Sequence, residues 1–423
     1  MSPSTATEHV LWQDQADPPR LDRRPLPGHA DVVVVGGGFA GMAAARTLAA
    51  AGRDVVVLEK ERLGWGAHAR NGGMVIPELK SGPATLERKL GPLGTRLHHE
   101  VNEAFDWVEA LIADEAIACD YARTGQLYLA HTPRLVPYLR ETTREHAEAG
   151  EPVRFVAREE LADEIGSTAY YGGVVFDRTG GVHPARLHAG LARLALDAGA
   201  DVHDHRAARS LEQLPDGRLR VTTAAGAVEA ADVIVTTNAY ADGFLPELRS
   251  RVLPVGSFIV ATEVLDPALA AELSPKGRMF VDTKNFLYYW RLTPDGRMLF
   301  GGRKSMNPPT LDQATAFLTE SMRRVHPQLA TARIDYQWGG YVAVTLDRLP
   351  HVGRLRGAWY ATGCNGSGVA LNSWLGHRLA QTVLGEAPPP AFAELKHRRI
   401  PLRALRRAYL PVVGQWFRYQ DRA

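Results

Sequence analysis

Asp31-Val-Val-Val-Val-Gly36-Gly-Gly38-Phe-Ala-Gly41 is the stretch that decides the fold, and Glu59 closes the next apolar run, Val55 to Leu58. Val32 to Val35 lack the alternation of a half-exposed strand and read as a parallel strand buried on both faces. Ala40 to Ala51 is rich in alanine and has high helix propensity, so the chain must turn sharply from strand into helix. Gly36 permits that turn, Gly38 lets the backbone approach a pyrophosphate at the helix N-terminus, and Gly41 lets helix and strand pack closely. Glu59, 18 residues after Gly41, falls at the end of the second strand, where it can accept hydrogen bonds from ribose hydroxyls. Glycines at this spacing mean little alone in a chain with 40 of them. Strand, glycines, helix, second strand and acid in that order point to a bound dinucleotide. The negative charge of Glu59 would repel a 2′-phosphate, which favours FAD or NAD over NADP.

The chain has 423 residues, 45% of them hydrophobic, enough for a large core and, by length, two domains. Its formal charge is +2 with both signs interspersed, so there is no electrostatic case for nucleic acid. Cys119 and Cys364 are the only cysteines. Neither sits in a metal-ligand or C-x-x-C spacing, so no disulfide framework and no metal site is expected, and a reducing cytoplasm fits. The stretch before Asp31 carries Asp14, Asp17, Arg20, Asp22 and Arg24, unlike a signal peptide, and the apolar runs are too short to span a bilayer.

Two kinds of region alternate along the chain. Val32 to Leu58, Pro184 to Val202, Val233 to Thr236 and Trp359 to Leu384 pair short apolar strands with helices; Leu253 to Arg303 and Arg333 to Thr345 are alternating, aromatic strands of a mixed or antiparallel sheet. The expected division is an N-terminal extension over 1–30, a discontinuous nucleotide domain over 31–90, 151–245 and 335–385, and a substrate domain over 91–150 and 246–334. A basic and aromatic tail follows over 386–423. Val101, Phe105, Val108 and Ile112 share one helical face and predict a helix packed on a core. In the tail, Arg398, Arg399 and Arg403 precede Tyr409, Trp416, Phe417 and Tyr419. Pro401, Pro411 and Gly414 interrupt any amphipathic face, so a segment folded back on the body is expected rather than membrane contact.

Two further glycine-rich loops stand at opposite ends: Gly66-Ala67-His68-Ala-Arg70-Asn71-Gly72-Gly73 and Gly363-Cys364-Asn365-Gly366-Ser367-Gly368-Val369. The second follows an apolar strand and precedes a helix, which offers another helix N-terminus to negative charge. With these loops, and with Gly180-Gly-Val-His183-Pro184, Val233-Ile-Val-Thr-Thr-Asn238-Ala-Tyr240 and Tyr289-Trp-Arg291-Leu-Thr, the chain resembles the FAD-dependent oxidoreductases of the D-amino-acid oxidase and glycine/sarcosine oxidase superfamily. It is most similar to their gamma-glutamylputrescine oxidase branch. The resemblance implies an α/β (α+β) chain in which an FAD-binding Rossmann-like domain of glutathione-reductase type is interleaved with a mixed-sheet substrate domain. It assigns FAD contacts to Gly36, Gly38, Phe39, Ala40, Gly41, Glu59, Lys60, Gly66, Ala67, His68, Arg70, Asn71, Gly72, Gly73, Val202, Asn238, Gly363, Gly366, Ser367, Gly368 and Val369.

The implied chemistry is removal of hydride from the carbon beside an amine nitrogen, giving an imine that hydrolyses, with O2 or another electron acceptor completing the cycle. A glycine/sarcosine-type amino-acid oxidase and a flavin-binding protein without catalysis are the alternatives. His68 departs from the small residue expected at its position. Histidine in a similar loop carries flavin covalently in dimethylglycine dehydrogenase relatives, so His68 stands either as a covalent attachment point or as a non-covalent neighbour of the flavin or its phosphates. Phe286, Tyr288 and Trp290 share one strand face, and Tyr288 and Trp290, with Tyr341, are the expected walls of an amine pocket. Ala370 stands where sarcosine oxidases carry a basic residue, which favours a longer amine over a simple α-amino acid; Arg291 is the residue left to hold a distant carboxylate.

Overall fold

A computed structural model describes residues 7–22, 24–241 and 243–422 and, among these, the backbone alone at 404, 406, 407 and 422. The valine run forms the middle of an eight-stranded sheet. His29–Val35 lies between Val55–Leu58 and Gly226–Val235, parallel to both, with Val33 opposite Val56 and Val34 opposite Ile234. Asp201–His203 and Ala358–Thr362 extend the parallel order at either side, and His351–Leu355 ends one edge antiparallel. Val32 to Val35 are at most 4% exposed because both faces of this sheet are covered. Helices Phe39–Ala50, Pro184–Asp197 and Val369–Leu384 cover one, with Val34, Leu48, Leu191 and Leu375 in a single apolar cluster. On the other, Ser210–Gln213 and Leu219–Thr223 join Gly226–Val235 in an antiparallel meander, and Leu211, Val221 and Phe244 pack on Val33 and Val35.

A second eight-stranded sheet runs in the order Ile334–Val344, Leu253–Val264, Arg297–Gly302, Tyr288–Leu292, Met279–Asp282, Gln126–Leu129, Gly173–Phe176, Val153–Val156. It is mixed, because Met279–Asp282 and Gln126–Leu129 pair parallel and the other neighbours antiparallel. Helix Leu311–Val325, capped by the Thr310 hydroxyl accepting from Gln313 N–H, packs Leu318 and Met322 against Phe280, Trp290 and Phe300.

The pairing moves several segments across the expected boundaries. Val153–Val156, Gly173–Phe176 and Ile334–Val344 belong to the second sheet, not with the nucleotide-binding strands. Helix Pro92–Asp114 buries the predicted face, but against the cluster beneath the first sheet rather than in the second. An apolar stripe shows that a helix packs; it does not name the partner. Of the expected N-terminal extension, residues 1–6 and 23 lie outside the described residues. The remainder is no loose arm, since Trp12 is fully buried and its Nε1 donates to Asn71 O at 2.8 Å. The tail folds back on the body as expected, but Pro411 does not interrupt it, since Arg406–Arg422 is one helix with Pro411 inside it. Leu410 is buried, Phe417 meets Phe286 edge to face, and a Cβ at Gly414 would meet Met306 and Phe286 within 4 Å. These docked contacts hold the helix across a proline that propensity alone would treat as a break. Among the described residues no helix is long and apolar enough to cross a membrane.

Three buried histidines make stability depend on pH. Burial pulls His183, His188 and His326 from 6.5 down to about 4. Between those values the unfolded chain takes up protons that the folded chain refuses, so the stabilisation is complete above pH about 6.5 and is lost as pH falls through about 4. Urea unfolding midpoints should fall steadily between pH 7 and pH 5, each histidine contributing at most roughly 1.4 kcal/mol per pH unit. A flat midpoint over that range contradicts the burial of these rings.

Candidate active site

A cavity of about 680 Å³ lies between the C-terminal ends of the parallel strands and the inner face of the second sheet. Its first wall is the turn that opens the helix Phe39–Ala50. Gly36 has φ +107°, and a Cβ at Gly41 would stand 1.8 Å from Gly36 O, so turn and helix touch backbone to backbone. Glu59 braces this turn: one carboxylate oxygen accepts from Gly37 N–H at 2.8 Å and the other from Glu61 N–H at 2.9 Å. Burial raises its pKa, against the backbone donors that lower it. Each oxygen keeps a further acceptor position on a residue that lines the cavity.

The second wall is the loop from Gly66 to Gly72, and donors from remote segments satisfy its backbone. Trp338 Nε1 donates to Arg70 O at 2.8 Å, Trp12 Nε1 to Asn71 O at 2.8 Å and Arg291 Nε to Gly72 O at 3.0 Å. Asn71 ties the loop to itself, donating to Ala67 O and His68 O and accepting from Gly73 N–H. Arg70 donates to Trp65 O and pairs with Glu8. The ring of His68 stacks on His188 with centroids 3.9 Å apart, and His188 Nε2 donates to Gly37 O at 2.7 Å. A Cβ on Gly38 would lie 3.2 Å from His68 Nδ1, so this ring sits against the first glycine turn. Its buried Nε2 has no partner among the described residues. Burial first, then the fields of His188, Arg70 and Arg62, hold His68 well below the usual histidine range, so it is neutral at pH 7.

The third wall is the turn Cys364–Val369. Asn238, at φ +47°, accepts from Gly363 N–H at 3.0 Å and donates to Cys364 Sγ. Gly368 begins helix Val369–Leu384 without a side-chain cap, which leaves backbone N–H groups for a ligand. Of the residues expected to touch the cofactor, Gly41, Gly73, Val202, Gly363 and Ser367 do not line the cavity. Gly41, Gly73 and Gly363 shape turns, Val202 is buried in its strand opposite Val57, and Ser367 Oγ accepts from Lys80 Nζ at 3.0 Å.

The second sheet closes the cavity, and here the expected aromatic face is the wrong one. Trp290 is fully buried among Tyr170, Phe280 and Phe300, and Tyr288 Oη bonds Ser321 of helix Leu311–Val325. Leu287 and Tyr289 on the opposite face line the cavity, and Tyr289 Oη meets Ser257 Oγ at 3.0 Å. Alternation grouped the residues correctly; which face the helix Leu311–Val325 covers is a tertiary fact. Tyr341 lies on the cavity, 42% exposed, with its N–H donating to Tyr240 Oη. Arg291 does not hold a ligand, since Nε donates to Gly72 O and Nη2 to Val182 O at 2.6 Å. His188, Arg303 and Arg348 were not singled out from sequence, and nothing local marks them; Tyr240 was named only as the end of a motif. Among the described residues no group of His, Cys, Asp and Glu is arranged to hold a metal ion.

With this geometry established, comparison with known proteins is decisive. Residues 31–382 match the model of the FAD dependent oxidoreductase family, DAO. The chain belongs to that family. It is 33% identical to gamma-glutamylputrescine oxidoreductase of Escherichia coli K12, over 93% of each chain, and 34% identical to the probable oxidoreductase OrdL of Haemophilus influenzae, over 85% of this chain and 84% of that one. The fold matches glycine oxidase from Geobacillus kaustophilus with a TM-score of 0.77 at 21% identity, covering 88% of this chain and all of the other. The protein is therefore an FAD-dependent oxidoreductase. Its residues fit that cofactor: two glycine turns open on one cavity, and His68 Nε2 is a buried polar atom without a partner among the described residues.

The two aromatic faces make opposite predictions. Trp290→Phe should lower stability by about 1–3 kcal/mol and leave the affinity for reducing substrates unchanged. Tyr289→Phe should change substrate affinity with little effect on the unfolding midpoint. Measuring both variants by denaturant unfolding and by substrate titration of the flavin spectrum checks the assignment, and a substrate effect confined to Trp290 reverses it.

Proposed function

We propose that the protein is an amine oxidoreductase acting on a primary or secondary alkylamine with a polar group several bonds from the nitrogen. The observation that carries this reading is one cavity walled on one side by the glycine turns and on the other by Leu287, Tyr289 and Tyr341, with Phe417 of the C-terminal helix also lining it. In this reading the first sheet carries the cofactor and the second the substrate. Gly36, Gly38 and the N-terminus of Phe39–Ala50 would hold the pyrophosphate, Glu59 a ribose, the loop through Asn71 the isoalloxazine edge, and Cys364 to Val369 its pyrimidine end. Bound there, FAD supplies an acceptor for hydride from the carbon beside the amine.

The protein's own part is to orient that carbon and to receive the amine neutral. Deprotonating an alkylammonium at pH 7 costs roughly 4–5 kcal/mol without help from the site. A partly buried aromatic wall lowers that cost by disfavouring the ammonium. The loop carbonyls held by Trp12, Trp338 and Arg291 keep the opposing surface rigid, so orientation survives substrate binding. The turn Gly363 to Val369 contains no basic residue, and Ala370 after it is buried. This supports a longer amine over glycine or sarcosine; the electron acceptor in this reading is O2 or another oxidant, and the setting cytoplasmic. The position of His68 against Gly38 supports a non-covalent role beside the pyrophosphate over attachment to the flavin ring.

Anaerobic mixing of the FAD-loaded protein with a panel of amines, followed by air, tests this directly. Alkylamines with a distal polar group should bleach the flavin faster than glycine, sarcosine or D-alanine, and return of colour in air reports use of O2. Short α-amino acids reducing it fastest would overturn the substrate class, and no reduction by any amine would overturn the function. Acid denaturation should release all flavin as free FAD. Glu59→Ala and His68→Ala should each weaken FAD binding by about 1.5–3 kcal/mol, the range for hydrogen bonds to charged groups, read by titrating apoprotein. Flavin retained on the denatured chain and released by His68→Ala would establish the covalent alternative.

A further inference from the structure

The basic residues around the cavity fall into two sets. Arg70 pairs with Glu8, Lys80 with Glu78, Arg178 with Asp106 and Lys284 with Asp282. Arg303 and Arg348 line the same cavity and have neither a hydrogen bond nor an ion pair from their guanidinium groups among the described residues. Arg303 follows strand Arg297–Gly302 on the substrate side of the cavity. The groups near enough to act on its charge are Tyr289, Arg348 and Cys364, none of them a carboxylate. Burial and the repulsion of Arg348 both weaken its hold on its proton. A partly buried guanidinium without an acid beside it is costly to keep, and an anion that accepts from Arg303 removes that cost, with the exposed Arg348 at the rim of the same cavity adding its field.

We propose that Arg303, assisted by Arg348, holds a carboxylate at the far end of the amine substrate, so that the protein selects amino acids whose carboxylate is remote from the oxidised nitrogen. This rests on the amine reading above and names the distal group which that reading leaves open. A guanidinium offers a planar fork that matches a carboxylate with two parallel hydrogen bonds. The hydroxyl pair Tyr289–Ser257, 3.0 Å apart and also lining the cavity, supplies further donors nearby. Two arginines against one carboxylate leave a net positive charge at that end of the cavity. That charge disfavours the ammonium form of the substrate and so acts in the direction hydride removal requires.

The test compares ω-amino carboxylates of three to six carbons with their carboxamides, using anaerobic flavin reduction by the FAD-loaded protein. The best carboxylate should exceed its amide at least a hundredfold in reduction rate over Kd. Arg303→Met should remove that preference by lowering the carboxylate alone, with the amide changed less than threefold; Arg303→Lys should restore part of it, and Arg348→Met should lose about tenfold. Pentanoate, which has no amine to oxidise, should perturb the flavin absorbance of the wild-type protein and lose at least tenfold in affinity in Arg303→Met. FAD content and unfolding midpoint of the variants serve as controls for folding. A wild-type protein indifferent to carboxylate or amide overturns the proposal, as does an Arg303→Met variant that weakens both equally. The flavin's affinity for sulfite should not change in Arg303→Met; a tenfold loss would show that the cation serves the flavin ring instead. If no amine reduces the flavin while pentanoate binding still depends on Arg303, the anion site stands and the amine reading fails.

Discussion

The structure turns on how the loop from Gly66 to Gly73 is suspended between the two sheets. A loop in the interior must satisfy its carbonyls without water. Here Trp338 from the second sheet, Trp12 from the N-terminal segment and Arg291 from the strand Tyr288–Leu292 donate to three successive carbonyls, Arg70, Asn71 and Gly72. Arg291 is fully committed to this work. Its buried guanidinium is pulled down to about 10 by desolvation, and it also holds Val182 O. This wall of the cavity therefore depends on residues from the second sheet, and neither sheet encloses the cavity alone.

That dependence explains why the segments of the chain interleave. The first sheet places three loop ends at the C-terminal edge of its parallel strands, where an open α/β sheet receives ligands. The second sheet returns to the same edge with Ser257, Tyr289, Arg303 and Tyr341. Helix Val369–Leu384 packs directly on Phe39–Ala50, close enough that a Cβ at Gly376 would meet Ala40 O at 2.0 Å. The N-termini of the two helices are thereby fixed relative to each other, and both open on one cavity.

The histidines show how the interior sets protonation. His68 and His188 stack face to face, which two imidazolium rings would not do, and burial keeps both neutral. His188 spends its Nε2 hydrogen on Gly37 O, which orients the glycine turn, while the buried Nε2 of His68 has no partner among the described residues. The same neutrality explains why a histidine can occupy a position beside a turn whose N–H groups already attract negative charge: it adds a hydrogen-bonding atom without adding a cation.

From sequence alone, the apolar run Val32 to Val35, the glycines after it, the alanine-rich helix and Glu59 determined the parallel core and the first glycine turn, because those signals are local and their spacing has few other physical uses. The loops around Asn71 and Gly366 were legible for the same reason. Which face of Tyr288–Leu292 meets the cavity was not, since alternation defines two faces and only the docking of helix Leu311–Val325 decides between them. Arg333 to Thr345 was legible as a strand of the mixed sheet, although the drawn boundary at 335 put it in the nucleotide domain; Val153–Val156 and Gly173–Phe176 were not legible as members of that sheet, because strand partners far apart in sequence leave no periodic trace. Arg291 and Arg303 look alike as letters in a chain with 49 basic residues. Tertiary structure alone made one a buried clamp on two carbonyls and left the other facing the cavity without an acid, because a charge acquires its role from the groups that surround it.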